Sequence, residues 1–130
     1  MWYDTEIDSM FLKSYTSKLV PSHKEKEYKK EFASKEEYDA EFSKFSKEIN
    51  FMPPFWDLEN QLFYRFSYQV IAGKANVYLT ALDKDLNQRG ETELPQLIQR
   101  PFRYFFKDGK IWFYENMDDE LAFVKLSIEK

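Results

Sequence analysis

Apolar and polar positions alternate most regularly over residues 62–70. Leu62, Tyr64, Phe66, Tyr68 and Val70 are large and apolar or aromatic, and Arg65, Ser67 and Gln69 between them are polar. A period of two predicts a strand with one buried face and one mixed face. The surrounding stretch 51–71, FMPPFWDLENQLFYRFSYQVI, reads as a hairpin whose two apolar runs flank a polar turn at 57–61. Asp57 and Asn60 favour that turn because their side chains bond the nearby backbone. Pro53 and Pro54 bring no N–H to a ladder, so the first run must be an edge strand or extend without pairing on that side.

The same logic continues downstream. Residues 76–82, NVYLTAL, predict a strand, and 83–95 read as turn, short strand and stop. Pro101 opens the run FRYFF, which KDGK separates from IWFY. Asp108-Gly109 between two aromatic runs predicts a type I′ hairpin turn. Residues 72–76 and 115–120 are expected to be loops, and 121–129 a last strand with Ala122, Val124, Leu126 and Ile128 on one face.

Upstream the period changes. Tyr38, Phe42, Phe45 and Ile49 form one apolar stripe at helical spacing, and Ser34 with Glu37 makes a capping box. These predict an amphipathic helix over about 35–49, lying on a sheet or against the side of the core. Residues 23–33 interleave Lys and Glu around Tyr28 and Phe32 and read as a solvated helix or linker. Residues 10–20 predict one or two short strands, ended by Pro21. The expected fold is mainly β: antiparallel sheets of about six or seven strands with one helix. Residues 1–130 form a single β-rich unit with a charged, partly helical insertion at about 22–49.

Composition narrows the function classes. The chain has 130 residues, 19 % of them aromatic, and a net charge of −4. That balance argues against a nucleic-acid or anionic-membrane partner. With no cysteine and one histidine, neither a transition metal nor a cofactor is expected. No apolar run approaches the roughly 20 residues of a membrane helix. The opening MWYDTEIDSM has neither the basic nor the apolar region of an export signal.

Candidate chemistry is sparse. Asp83, Asp85 and Asn87 resemble the start of a calcium loop, but Gln88 and Leu94 stand where such a loop needs Gly and Glu. An Asx-rich turn is the better reading. Asp57, Glu59, Asp83, Asp85, Asp118, Asp119 and Glu120 all fall in expected turns, and nothing pairs two of them as a glycosidase requires. His23 reads as a surface residue. The Trp56-Asp57 dipeptide is one copy of a propeller signature without its Gly-His element. Trp56, Tyr64, Tyr68, Tyr104, Trp112 and Tyr114 could stack on a sugar, with Trp56, Tyr64 and Trp112 the ligand-binding candidates. Core packing outweighs that reading, since the alternation already puts Tyr64 and Tyr68 on the apolar face. No residue stands out as catalytic.

A faint repeat relates Pro54-Phe55, turn, LFYRF to Pro101-Phe102, turn, IWFYE, as in propeller blades. The runs INFMPPFWD, FYRFSY, VYLTALDKDLNQRGETELP, KDGKIWFYEN and DDELAFVKLSI resemble the C-terminal part of an uncharacterised six-bladed β-propeller family of gut bacteria, classed as a domain of unknown function. The resemblance covers most of the chain from Phe11 onward. It implies one to two propeller blades and export to the periplasm or cell surface, often as a lipoprotein. It brings no catalytic residue. One and a half blades would leave an apolar face and several strand edges bare, so the chain is expected to be part of a longer protein or a homo-oligomer. The expected function is a non-enzymatic scaffold or binding module for a protein or glycan. The alternative is a carbohydrate-active enzyme or glycan-binding domain using turn carboxylates and aromatics. Two carboxylates across a cleft would favour the enzyme, and a flat aromatic surface without them the binding module.

Overall fold

The computed structural model describes residues 2–24, 27–117 and 119–129. Strands make up 44 % of the chain, all pairings are antiparallel, and one short helix accompanies them among the described residues. The strands are β1 (Trp2–Asp4), β2 (Ser9–Phe11), β3 (Asn50–Phe51), β4 (Phe55–Asp57), β5 (Leu62–Ile71), β6 (Lys74–Leu82), β7 (Gln88–Glu93), β8 (Tyr104–Lys107), β9 (Lys110–Met117) and β10 (Glu120–Ser127); α1 spans Lys35–Ser46. β1 and β2 form a small hairpin of their own. β3, β5, β6 and β7 follow one another across the larger sheet, with β4 also on β5, and β10-β9-β8 form the smaller sheet.

The prolines act as expected. β3 and β4 both pair with the same edge of β5, below and above Pro53-Pro54. Four steps along the edge, from Phe51 to Phe55, answer three along β5, from Ser67 to Tyr64. The extra residue is a bulge, placed where two residues cannot donate to the ladder.

The two sheets pack face to face. Tyr64, Phe66, Ala75, Val77 and Leu79 from β5 and β6 meet Ile111 and Phe113 from β9, with Leu94 and Leu97 closing the core from the crossover after β7. Phe66 is fully buried, and its ring centroid lies 5.0 Å from Tyr104, 5.3 Å from Phe113 and 5.7 Å from Phe55. The hairpins β4–β5 and β8–β9 stack with their turns at the same end: a Cβ built on Gly109 would lie 2.6 Å from the Glu59 carboxylate.

The opposite face of the larger sheet is covered as well. Ser67 and Thr80 on that face are buried. Residues 12–24 lie across it. Lys13 Nζ donates to the Asp85 carbonyl at 2.7 Å and to Asn87 Oδ1 at 2.6 Å. Ser17 Oγ and the Lys18 N–H donate to the Glu91 carboxylate. The Arg65 guanidinium sits 4.8 Å from the Phe51 ring centroid and 5.3 Å from that of Tyr15. The short strands expected over 10–20 reduce to β2, because the rest of that segment bonds through side chains rather than a ladder.

Four expectations need correction. The helix ends at Ser46 with Lys47 as its C-cap, so Ile49 leaves the stripe and is buried outside it. α1 buries none of its residues against either sheet. Its stripe meets the preceding segment instead: Tyr28 lies edge-on to Phe45 at 5.2 Å and Phe32 to Tyr38 at 5.3 Å. Ser34 Oγ accepts the Glu37 N–H at 3.2 Å, but Glu37 reaches back to the Ala33 N–H at 2.8 Å, one residue beyond the reciprocal box. Finally, both expected loops are tight hairpins. Ile71 pairs with Lys74 around Ala72 (φ 50) and Gly73 (φ 78), and Met117 with Glu120. The first is a two-residue turn with both positions left-handed, like Asp108 (φ 53) and Gly109 (φ 67). Alanine at its first position hid the turn, since that residue seldom adopts positive φ.

Two expectations test this packing. Phe66→Ala should lower unfolding free energy in urea by about 3–5 kcal/mol, the range for a fully buried aromatic. Ala72→Asn, at an exposed site, should raise it by up to about 1 kcal/mol, whereas Gly109→Ala should lower it by at least about 1 kcal/mol because Glu59 must also move. Equal effects at the two turns would contradict the close stacking of Glu59 on Gly109.

Candidate functional site

The turn carboxylates are occupied by their own loops. Asp57 is fully buried, and its carboxylate accepts the Glu59 and Asn60 N–H groups at 3.0 and 3.1 Å and Asn60 Nδ2 at 2.6 Å. Asp83 accepts the Asp85 and Asn87 N–H groups at 2.9 and 2.8 Å and Asn87 Nδ2 at 3.1 Å, and pairs with Arg89 at 2.7 Å. This is the Asx-rich turn expected of 83–87. The Asn87 N–H above all, then the Asn87 side chain, Arg89 and the Asp85 N–H, hold the Asp83 carboxyl below the ordinary carboxylate range. Asp118 lies outside the described residues. No group of three or more His, Cys, Asp or Glu suited to a metal occurs among the described residues. His23 is exposed, 3.0 Å from Ser22 Oγ.

The three stacking candidates do not share a surface. Tyr64 is buried between the sheets, its hydroxyl without a hydrogen-bond partner among the described residues. Burial, reinforced by Asp57, pushes that hydroxyl up to about 12. Trp56 is half-buried against Phe63 at 4.6 Å, on the face of the larger sheet opposite Tyr64. Trp112 lies on the other sheet, on the outer face of β9.

The surroundings of Trp112 form an open aromatic surface. Alternation along β8, β9 and β10 sends Tyr104, Phe113 and Val124 inward and Phe105, Trp112 and Lys125 outward at neighbouring rungs. Tyr114 and Phe123 occupy the next outward rung, and Asn116 and Leu121 the one after. The Phe105 and Trp112 rings are parallel within 1° with centroids 6.1 Å apart, and Phe123 stands edge-on to Phe105 at 6.1 Å and to Tyr114 at 5.7 Å. Lys125 Nζ lies 5.8 Å from the Trp112 ring centroid, and Trp112 Nε1 donates to the Lys107 carbonyl at 3.3 Å. Phe105 is 45 %, Phe123 61 % and Leu121 71 % exposed. Sequence reasoning named Trp112 and Tyr114 here but missed Phe105, Leu121 and Phe123. Their signal was present: 121–126 is apolar at odd as well as even positions, apart from Lys125, as befits a strand meant for cover on both faces.

The Asp83 turn yields a pH test. A carboxyl depressed in the folded state contributes stability that is complete above its unfolded value, about 3.9, and is lost as pH falls through the folded one. The stability gap between the natural chain and Asp83→Asn should therefore be constant near neutrality and close in acid. A gap unchanged down to the acid limit of folding would show that the charge of Asp83 is not what the turn holds.

No curated protein and no solved structure matches the chain. The sequence model of one family, described as Domain of unknown function (DUF4221), matches residues 1–93. That match covers β1 to β7, including the Pro-Pro edge and the whole larger sheet, and the chain belongs to this domain-of-unknown-function family.

Proposed function

We propose that this chain is a non-enzymatic scaffold or binding module that engages a further β-sheet layer through the outer face of β8–β10. The observation that carries the reading is the parallel Phe105–Trp112 pair with Phe123 and Leu121 exposed beside it. Contiguous apolar patches of this kind mark interaction surfaces on soluble proteins. The inner face of the same sheet supplies the docking mode: Tyr104 and Phe113 already bury themselves against the aromatic face of the larger sheet. The outer face repeats that pattern one residue out of phase. We take its occupant to be the same face of a second copy, so that 1–130 acts as one β-rich unit with 22–49 as an insertion on its flank. The propeller-blade reading fits two hairpins stacked with their turns aligned. The carboxylates offer no comparable support for a carbohydrate-active enzyme, because Asp57 and Asp83 spend their oxygens on their own turns.

Light scattering across a concentration series tests this. The natural chain should be a dimer, and Phe105→Ser/Phe123→Ser should be monomeric with unchanged circular dichroism, since both side chains are already exposed. A natural chain that stays monomeric at all concentrations, or a dimer the double variant leaves intact, would refute the second copy as occupant.

A further inference from the structure

A second feature lies away from that face. The crossover 94–103 leaves the larger sheet after β7 and enters the smaller one at β8. It is pinned at both ends: the Ala75 N–H donates to the Ile98 carbonyl at 2.9 Å, and the Tyr114 N–H to the Arg103 carbonyl at 3.0 Å. Between it, the β5–β6 turn and the end of β9 opens a cleft of about 630 Å³. Its floor is apolar, with Val70, Ala75 and Phe113, and its rim carries Arg100 and Arg103. Pro101 between the arginines is buried, which anchors the segment that presents them.

Neither guanidinium forms an ion pair among the described residues; Arg103 lies only over the Tyr114 ring, at 5.8 Å. Two unpaired guanidinia three residues apart at the mouth of an apolar cleft are placed for a planar oxyanion, which arginine binds through paired N–H groups. The cleft volume falls in the range typical of small-molecule sites, and its apolar floor suits a flat hydrocarbon body. Glu115 is the one carboxylate in the lining. Burial raises its carboxyl above the usual range.

The geometry points to a binding site for a small organic oxyanion, a carboxylate or phosphate ester carrying an aromatic or aliphatic body, with Arg100 and Arg103 clamping the charged group and Val70 and Ile98 receiving the body. The site borders the outer face of β8–β10 at Tyr114 but does not use Phe105, Trp112, Phe123 or Leu121.

Titration of the ¹⁵N-labelled full chain with phenyl phosphate, benzoate and inorganic phosphate tests it. Phenyl phosphate or benzoate should produce saturable shifts centred on the amides of Gly73, Ala75 and Phe113, and the tighter of the two identifies the preferred headgroup. Inorganic phosphate, lacking the body, should bind at least about tenfold more weakly. Arg100→Gln/Arg103→Gln should abolish the shifts. Lys35→Gln/Lys84→Gln, which removes two exposed charges elsewhere, should leave them intact. No saturable shift with either organic probe, equal binding of inorganic phosphate, or equal loss in both double variants would overturn the assignment.

Discussion

The structure depends on one aromatic contact layer, the interdigitation of Phe55, Phe66, Tyr104 and Phe113 between two antiparallel sheets. Rings of this size bury much apolar surface each and prefer tilted or edge-on contact, so a few of them can join two sheets without many aliphatic residues. The chain has only three glycines, and one of them is placed by this layer. The sheets are close enough that the β4–β5 turn sits over the β8–β9 turn, and Gly109 leaves room for Glu59. The positive φ of the type I′ turn and the proximity of the neighbouring hairpin thus ask for the same residue.

Around that layer the two sheets are finished differently. The outer face of the larger sheet is closed by residues 12–24, largely through hydrogen bonds from the Lys13 and Ser17 side chains and the Lys18 backbone N–H. The polar residues of β5 and β6 on that side, Arg65, Ser67 and Thr80, suit a covering segment that is itself polar. The outer face of the smaller sheet carries Phe105, Trp112, Phe123 and Leu121 instead, and no described segment covers it. This contrast in chemistry is why the smaller sheet is the place where another sheet is expected to dock. α1 takes no part in either closure. Among the described residues its aromatic stripe meets Tyr28, Phe32 and the Lys24 ammonium, 3.5 Å from the Phe45 ring centroid, so the helix adds little to the core.

How much could be read from the residues differs by element. β5 was legible because its alternation is strict, and the edge position of β3 and β4 because two prolines forbid pairing on one side. Asp108-Gly109 announced its own turn, and the Asp83 loop its own hydrogen bonds. The hairpin at Ala72-Gly73 was not legible, because alanine carries no turn signal and its left-handed backbone is imposed by the pairing of Ile71 with Lys74. Helix α1 was placed to within a few residues, yet its environment was not, since an apolar stripe states that something covers it without stating what. For the candidate site, Trp112 could be named from the sequence, but not its separation from Tyr64 and Trp56.

The sequence by itself determined much of the local conformation: the long alternating strands, the proline edge, the Asp108-Gly109 and Asp83 turns, and the absence of cysteine and of a histidine cluster. Those properties follow from backbone sterics and side-chain chemistry within a few residues. Only the tertiary structure decided which aromatics became core and which remained outside, because a strand apolar on both faces does not say which face meets its neighbour. It likewise brought Arg100 and Arg103 to the mouth of an apolar cleft, a juxtaposition made by the crossover between two sheets and invisible in a segment that reads as loop.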